Sequence, residues 1–145
     1  MGNRAKVKHI FPTIERYGAS TGSRQVAVQF RGSEVCCPYC GRPHPWTTEA
    51  QSQLPAAEAA QAILSLFEQG QPRQLVFAGG EPLVYEDWIR RLLALLPACR
   101  VQVKTTGLPV QALAELLPNV SLFSLQWSLE RMDKLLATQR DVKYA

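Results

Sequence analysis

No run of about 18 apolar residues occurs in the chain, so no membrane-spanning helix is expected. The basic N-terminal stretch MGNRAKVKHIFPTIER lacks the apolar centre of a secretory signal, and a cytoplasmic protein is the expectation. Only two histidines are present, and both read plainly: His9 as a surface residue, His44 as a loop hydrogen-bonder or a ligand. A secreted disulfide framework is also missing. Of the four cysteines, three crowd into Cys36–Cys40 and the fourth is Cys99, which fits thiols kept reduced for metal or redox work. The formal charge of +4 comes from Lys and Arg scattered along the chain rather than gathered in a stripe, which argues against nucleic acid as a partner. Internal repeats, low-complexity tracts and interdomain linkers are absent, so the 145 residues read as one domain with one core, spanning 1–145.

What is there is a regular alternation. After a polar lead-in over 1–24, QVAVQFR (Gln25–Arg31) alternates apolar and small or polar residues as a strand does. It runs into a cysteine loop over 32–47, where Gly32, Pro38, Gly41, Pro43 and Pro45 exclude helix and sheet. PAAEAAQAILSLFEQG carries Ala60, Ile63, Leu64 and Phe67 at helical spacing between Pro55 and Gly70. QLVFA (Gln74–Ala78) is a strand ending in the turn Gly79-Gly80-Glu81-Pro82, and EDWIRRLLALLPA is a helix up to Pro97. In that helix Leu92, Leu93, Leu95 and Leu96 are expected in the core, with Glu86, Asp87, Arg90 and Arg91 on the solvated face. VQVKT (Val101–Thr105) ends in Thr106-Gly107, PVQALAELL is helical, and VSLFSL (Val120–Leu125) is a last strand before a helix at SLERMDKLLATQ. Four βα units of this kind predict an α/β fold, a parallel sheet with helices outside, too short to close an eight-stranded barrel and therefore a partial, open one. Ligands in such folds gather at the C-terminal ends of the strands, where the cysteine loop, GGEP and TTG all fall.

Three readings of SEVCCPYCGRPHPW follow from its residues. Cys37-Pro38-Tyr39-Cys40 has the spacing of a redox pair, but Pro43 and Pro45 forbid the helix such a pair begins. Cys37, Cys40 and His44 with Cys36 or Cys99 make up a tetrahedral zinc set. The third is a loop of inert, packed thiols.

A fourth reading comes from the whole chain. HIFPTIERYGASTGSRQVAVQFRGSEVCCPYCGRPHPW, LVFAGGEPL and VQVKTTG, in this order and spacing, resemble the radical S-adenosylmethionine (SAM) enzymes, most closely the 7-carboxy-7-deazaguanine synthase (QueE) family, over residues 9–107. The resemblance implies a [4Fe–4S] cluster on a CxxxCxxC loop, with Cys37 and Cys40 as its last two thiolates and SAM on the remaining iron. It implies that Tyr39 stacks on adenine, that Gly79, Gly80, Glu81 and Pro82 meet the methionine end of SAM, and that Thr106 lies near the ribose. It also implies a small-molecule substrate, a carboxy-tetrahydropterin undergoing ring contraction on the deazapurine and queuosine route.

The departures are specific. Ser33 stands where the first cluster thiolate belongs, and serine is a harder, far less acidic ligand, so Cys36 or Cys99 must substitute if a normal cluster forms. Glu15-Arg16-Tyr17-Gly18 replaces a QGEG-like stretch, removing a carboxylate suited to gripping a pterin. Cys40-Gly41-Arg42 replaces Cys-Asp-Thr, losing a hydroxyl and adding a cation that opposes a divalent ion, which argues against magnesium. These changes keep a second expectation open: a non-catalytic relative of the same fold that binds a partner, with its thiols idle or on zinc.

Overall fold

The computed structural model describes residues 3–31, 53–67, 71, 73–107 and 109–125. The cysteine loop, with Cys36, Cys37, Tyr39 and Cys40, and the helix expected at SLERMDKLLATQ lie outside the described residues.

In chain order the elements are β1 (Arg4–Ala5), β2 (Val7–Ile14), β3 (Arg24–Phe30), β4 (Leu54–Pro55), α1 (Ala56–Leu66), β5 (Gln74–Ala78), a 3₁₀ turn (Pro82–Tyr85), α2 (Glu86–Leu95), β6 (Arg100–Thr105), α3 (Val110–Leu116), a second 3₁₀ turn (Leu117–Asn119) and β7 (Leu122–Leu125). β3, β5, β6 and β7 pair in parallel in that order, as the βα alternation requires. β1 and β4 form a separate two-stranded ladder.

The pleat divides the main sheet into two faces. Val26, Val28 and Phe30, Leu75 and Phe77, Val101 and Val103, and Phe123 share the face that packs on the helices. The helices answer with Ala56, Ala59, Ala60 and Ile63 from α1, Trp88, Ile89 and Leu92 from α2, and Leu113 and Leu116 from α3. Small residues on α1 let that helix lie close, while Trp88 fills the middle: its ring meets Phe30 edge-on at 5.6 Å, and its indole N–H donates to the Leu54 carbonyl at 2.9 Å. The opposite face carries Gln25, Ala27, Gln29, Val76, Gln102, Lys104 and Ser124, a polar surface with small apolar residues between.

Three expectations need correction. The 1–24 lead-in is not wholly irregular, because Val7–Ile14 forms β2 and pairs antiparallel with β3, making the sheet mixed. Its alternation is blurred by a register shift between Val7 and His9, and Pro12 reads as a breaker although the edge of a sheet tolerates it. Leu95 is 53% exposed: it closes α2, and Leu96 turns back into the core in its place. Leu64 lies on the flank of the α1 stripe and is likewise exposed. On the charged face of α2, Asp87, Arg90 and Arg91 are exposed as expected, whereas Glu86 is largely covered and burial raises its carboxyl pKa; Arg90 pairs with Glu86 and, at 2.7 Å, with Asp87.

Trp88→Ala should destabilise the fold by about 3–5 kcal/mol, the usual range for emptying a buried aromatic site. Trp88→Phe should cost less, about 1–3 kcal/mol, chiefly for the orphaned Leu54 carbonyl. Urea denaturation of both variants measures the two figures.

Candidate functional site

The turn after β5 is built around two consecutive glycines in the left-handed region, Gly79 at φ 72° and Gly80 at φ 52°. Gly79 also presses against the end of β3. A Cβ there would sit 2.7 Å from the Gln29 side chain and 2.9 Å from the Phe30 carbonyl oxygen, so only glycine fits. The strand from which the cysteine loop departs and the GGEP turn are therefore in van der Waals contact.

Glu81 follows, 2% exposed, and its carboxylate is filled by protein donors. Oε1 accepts from the Leu83 N–H at 3.1 Å and from the Thr105 hydroxyl. Oε2 accepts from the Thr106 N–H at 3.0 Å and the Thr106 hydroxyl at 2.6 Å. Thr105 in turn accepts from the Gly107 N–H at 3.0 Å. The carboxylate thus ties the turn after β5 to the turn after β6, and it caps the 3₁₀ turn that starts at Pro82. Gly79, Gly80, Glu81, Pro82 and Thr106 are brought together at the C-terminal ends of the parallel strands. Thr105, which in the sequence is no more than the end of a strand, supplies one of the four bonds.

A second buried carboxylate lies on the sheet face away from the helices. Glu15, 3% exposed, accepts from Lys104 Nζ at 2.7 Å, Gln25 Nε2 at 3.1 Å, and the backbone N–H groups of Arg16 and Tyr17 at 3.0 and 3.3 Å. Burial alone pushes this carboxyl up, but the hydrogen bonds from Lys104, Gln25 and Tyr17 and the Lys104 charge together outweigh it and hold the group below its ordinary value. β2 and β6 are three inter-strand steps apart, roughly 14 Å in a flat sheet. Their meeting through Glu15 and Lys104 means that the sheet and the turn after β2 wrap toward this face. Beside Lys104, Gln102 donates to Ser124 at 2.9 Å, while its buried Oε1 has no partner.

The thiol loop expected to complete the site lies outside the described residues. Among the described residues, no group of three or more His, Cys, Asp or Glu could hold a metal ion. Cys99 is half-buried, and burial raises its thiol pKa despite the nearby charge of Arg73.

The radical SAM superfamily model matches residues 30–143, which takes in the last residue of β3, the thiol loop, the GGEP turn, β6 and β7. The chain belongs to the radical SAM superfamily. Membership implies, in general, SAM and a [4Fe–4S] cluster. Among curated relatives, the radical SAM chain is 32% identical over 118 residues to a 7-carboxy-7-deazaguanine synthase of Hyperthermus butylicus, covering 79% of this chain and 48% of that protein. It is 34% identical over 104 residues to one of Methanothermobacter thermautotrophicus, covering 72% and 41%. A probable GTP 3′,8-cyclase of Methanocella arvoryzae shares 31% identity over 121 residues, 83% of this chain and 38% of that one. The chain spans less than half the length of these relatives. The crystal structure of QueE from Escherichia coli superposes with a TM-score of 0.61 at 18% identity, covering 97% of this chain and 81% of that one, a likeness of fold.

The Glu15–Lys104 pair has a pH signature. With the folded carboxyl held below its unfolded value, its contribution to stability is fully present above the unfolded pKa and is lost as pH falls through the folded one. Lys104→Met should therefore destabilise the neutral protein by about 1–2 kcal/mol, at the low end for a charge-assisted bond because Lys104 is 36% exposed. The difference from wild type should shrink as pH falls through the lowered folded pKa of Glu15 and the carboxyl protonates. Chemical denaturation from pH 3 to 8 checks both statements.

Proposed function

We propose that this radical SAM chain is a QueE-type enzyme, carrying out ring contraction of a carboxylated tetrahydropterin to a deazapurine. The observation that carries the reading is the packing of Gly79 against Gln29 and Phe30, together with the Glu81 bonds to Thr105 and Thr106. These join three sequence blocks, far apart in the chain, at one mouth of the sheet. The likeness to proteins named 7-carboxy-7-deazaguanine synthase points the same way.

In this reading Cys37, Cys40 and Cys36 hold the cluster. The donor chemistry fits, since three thiols can serve as thiolate ligands to iron, whereas the Ser33 hydroxyl is a poor substitute. The bound cluster supplies the electron that cleaves SAM reductively. This chain's residues bind and orient. The bare Gly79-Gly80 backbone lets the methionine end of SAM approach closely, Tyr39 stacks on its adenine, and Thr106 stands by the ribose. Glu81 serves mainly by fixing the shape of the turn, because its oxygens already accept four hydrogen bonds from the protein. Magnesium has no place in this reading, since Arg42 stands where a hydroxyl ligand would be wanted. The competing reading, a non-catalytic relative with its thiols idle or on zinc, rests on Ser33 and on the replacement of the Asp-Thr pair by Gly41-Arg42.

Anaerobic reconstitution followed by joint quantification of iron, sulfide and zinc tests the proposal. About four iron and four sulfide per chain are expected, with SAM binding seen by calorimetry, and both should be lost in Cys37→Ala and Cys40→Ala. A colourless chain with one zinc and no heat on SAM addition would replace this reading by the competing one.

A further inference from the structure

On the sheet face away from the helices, Ala27, Val76 and Gln102 pair from strand to strand as one rung and are 6%, 2% and 5% exposed. Neither Ala27 nor Val76 belongs to the core that the helices cover, so their burial has another cause. The described segment that reaches over the rung is the turn between β2 and β3, residues 15–23. Its pin is the Glu15 carboxylate, held at once by Gln25 near the start of β3 and by Lys104 near the end of β6. Val28, Phe77 and Val103 share a rung, so Gln25 and Lys104 stand four residues of register and two strands apart, about 13 Å along the sheet and about 10 Å across it. A carboxylate that bonds both lies between them, over Ala27 and Val76, and the short side chains at those positions leave it room.

The turn is built to keep this place. The Glu15 N–H donates to the Ser23 carbonyl at 3.0 Å and the Gly22 N–H to the Glu15 carbonyl at 2.8 Å, while the Thr21 and Ser23 N–H groups close onto the carbonyls of Gly18 and Ser20. Ser20 is buried, and Gly22 takes the left-handed φ of 85° that closing the turn requires. A closed β/α barrel fills its interior with layers of side chains from its own strands. Here the strands described run from β2 to β7 without closing, and a loop fills the space from one end.

We propose that residues 15–23 are a plug, pinned by Glu15, that closes this inner face at the N-terminal ends of the parallel strands, so that a ligand reaches the face only from the mouth where Glu81 is anchored. Ile14 pairs with Arg24, which places the plug at the end of the sheet opposite that mouth. The plug goes beyond the QueE-type reading and holds whatever the reaction is. Glu15 is a positioning residue in it, with four hydrogen bonds from the protein on its carboxylate. In a radical SAM chain such a closure keeps solvent from the reacting centre on the side away from the mouth.

The test is thiol labelling of the full, anaerobically reconstituted chain with iodoacetamide, each cysteine being followed separately by peptide mass spectrometry. Ala27→Cys places a small reporter under the plug, and Gln61→Cys places a reference on the exposed side of α1. With the plug intact, the reporter should react at least about tenfold more slowly than the reference. Two further substitutions release the plug by different routes: Lys104→Met removes its bond to β6, and Gly22→Val strains the turn at a positive φ where nothing lies within 4 Å of the added Cβ. Either should speed the reporter about tenfold while the reference rate and the hydrogen-exchange protection of the β5 amides stay unchanged. If Lys104→Met loses that protection, Gly22→Val decides. The proposal is overturned if the reporter reacts within about twofold of the reference while the plug is intact, or if it stays protected in both variants. Loss of β5 protection in both would also overturn it, because the turn would then carry the fold rather than cover a face.

Discussion

Glu81 organises the strand ends. A buried carboxylate needs its charge met by donors, and here four N–H and O–H groups from Leu83, Thr105 and Thr106 supply them. Because these donors come from the turns after two neighbouring parallel strands, satisfying the carboxylate also sets the relative position of those turns. Gly79 adds the third party, since its missing Cβ lets the same turn lie on the end of β3. The mouth of the sheet is thus shaped by one acid and one glycine, and the thiol loop starts from the strand they press against.

The rest of the sheet serves that mouth in two ways. The helix-facing side is a plain hydrocarbon core, with Phe30, Phe77 and Trp88 packed as a cluster of rings, and it makes the strand ends a rigid platform. The other side is polar, and its curvature is held by Lys104 reaching Glu15 across a separation of 89 residues in sequence. A parallel sheet buried on both faces ordinarily carries apolar residues throughout. Gln25, Gln102, Lys104 and Glu15 break that habit on the face away from the helices, where the hydrogen bonds of Glu15 to Gln25 and Lys104 offset their burial.

The parts of the fold that show in the sequence are those with short-range causes. β5 is legible to the residue, and β3, β6 and β7 to within two, because each is a short β-rich run leading into a loop or turn. β2 is not, since it is an exposed edge with a register shift and a proline inside it. GGEP and TTG stand out as turns, but nothing local says that the acid of one binds the threonines of the other. Thr105 looks like the end of a strand until the fold places it against Glu81. Glu15 reads as a residue replacing a family motif, and its bond to Lys104 depends entirely on how the sheet curls. The resemblance to radical SAM enzymes does come through at sequence level, because its blocks are contiguous and keep their order.

Hydrogen exchange at two backbone amides tests the clamp most directly. Leu83 N–H leans on Oε1 of Glu81 and Thr106 N–H on Oε2, so replacing either oxygen by an NH₂ group in Glu81→Gln must release at least one of them. Both amides should exchange slowly in the wild-type protein, and at least one should exchange about tenfold or more faster in the variant while the amides of β5 and β6 stay protected. Unchanged exchange at both positions would show that the two turns are held by something other than this carboxylate.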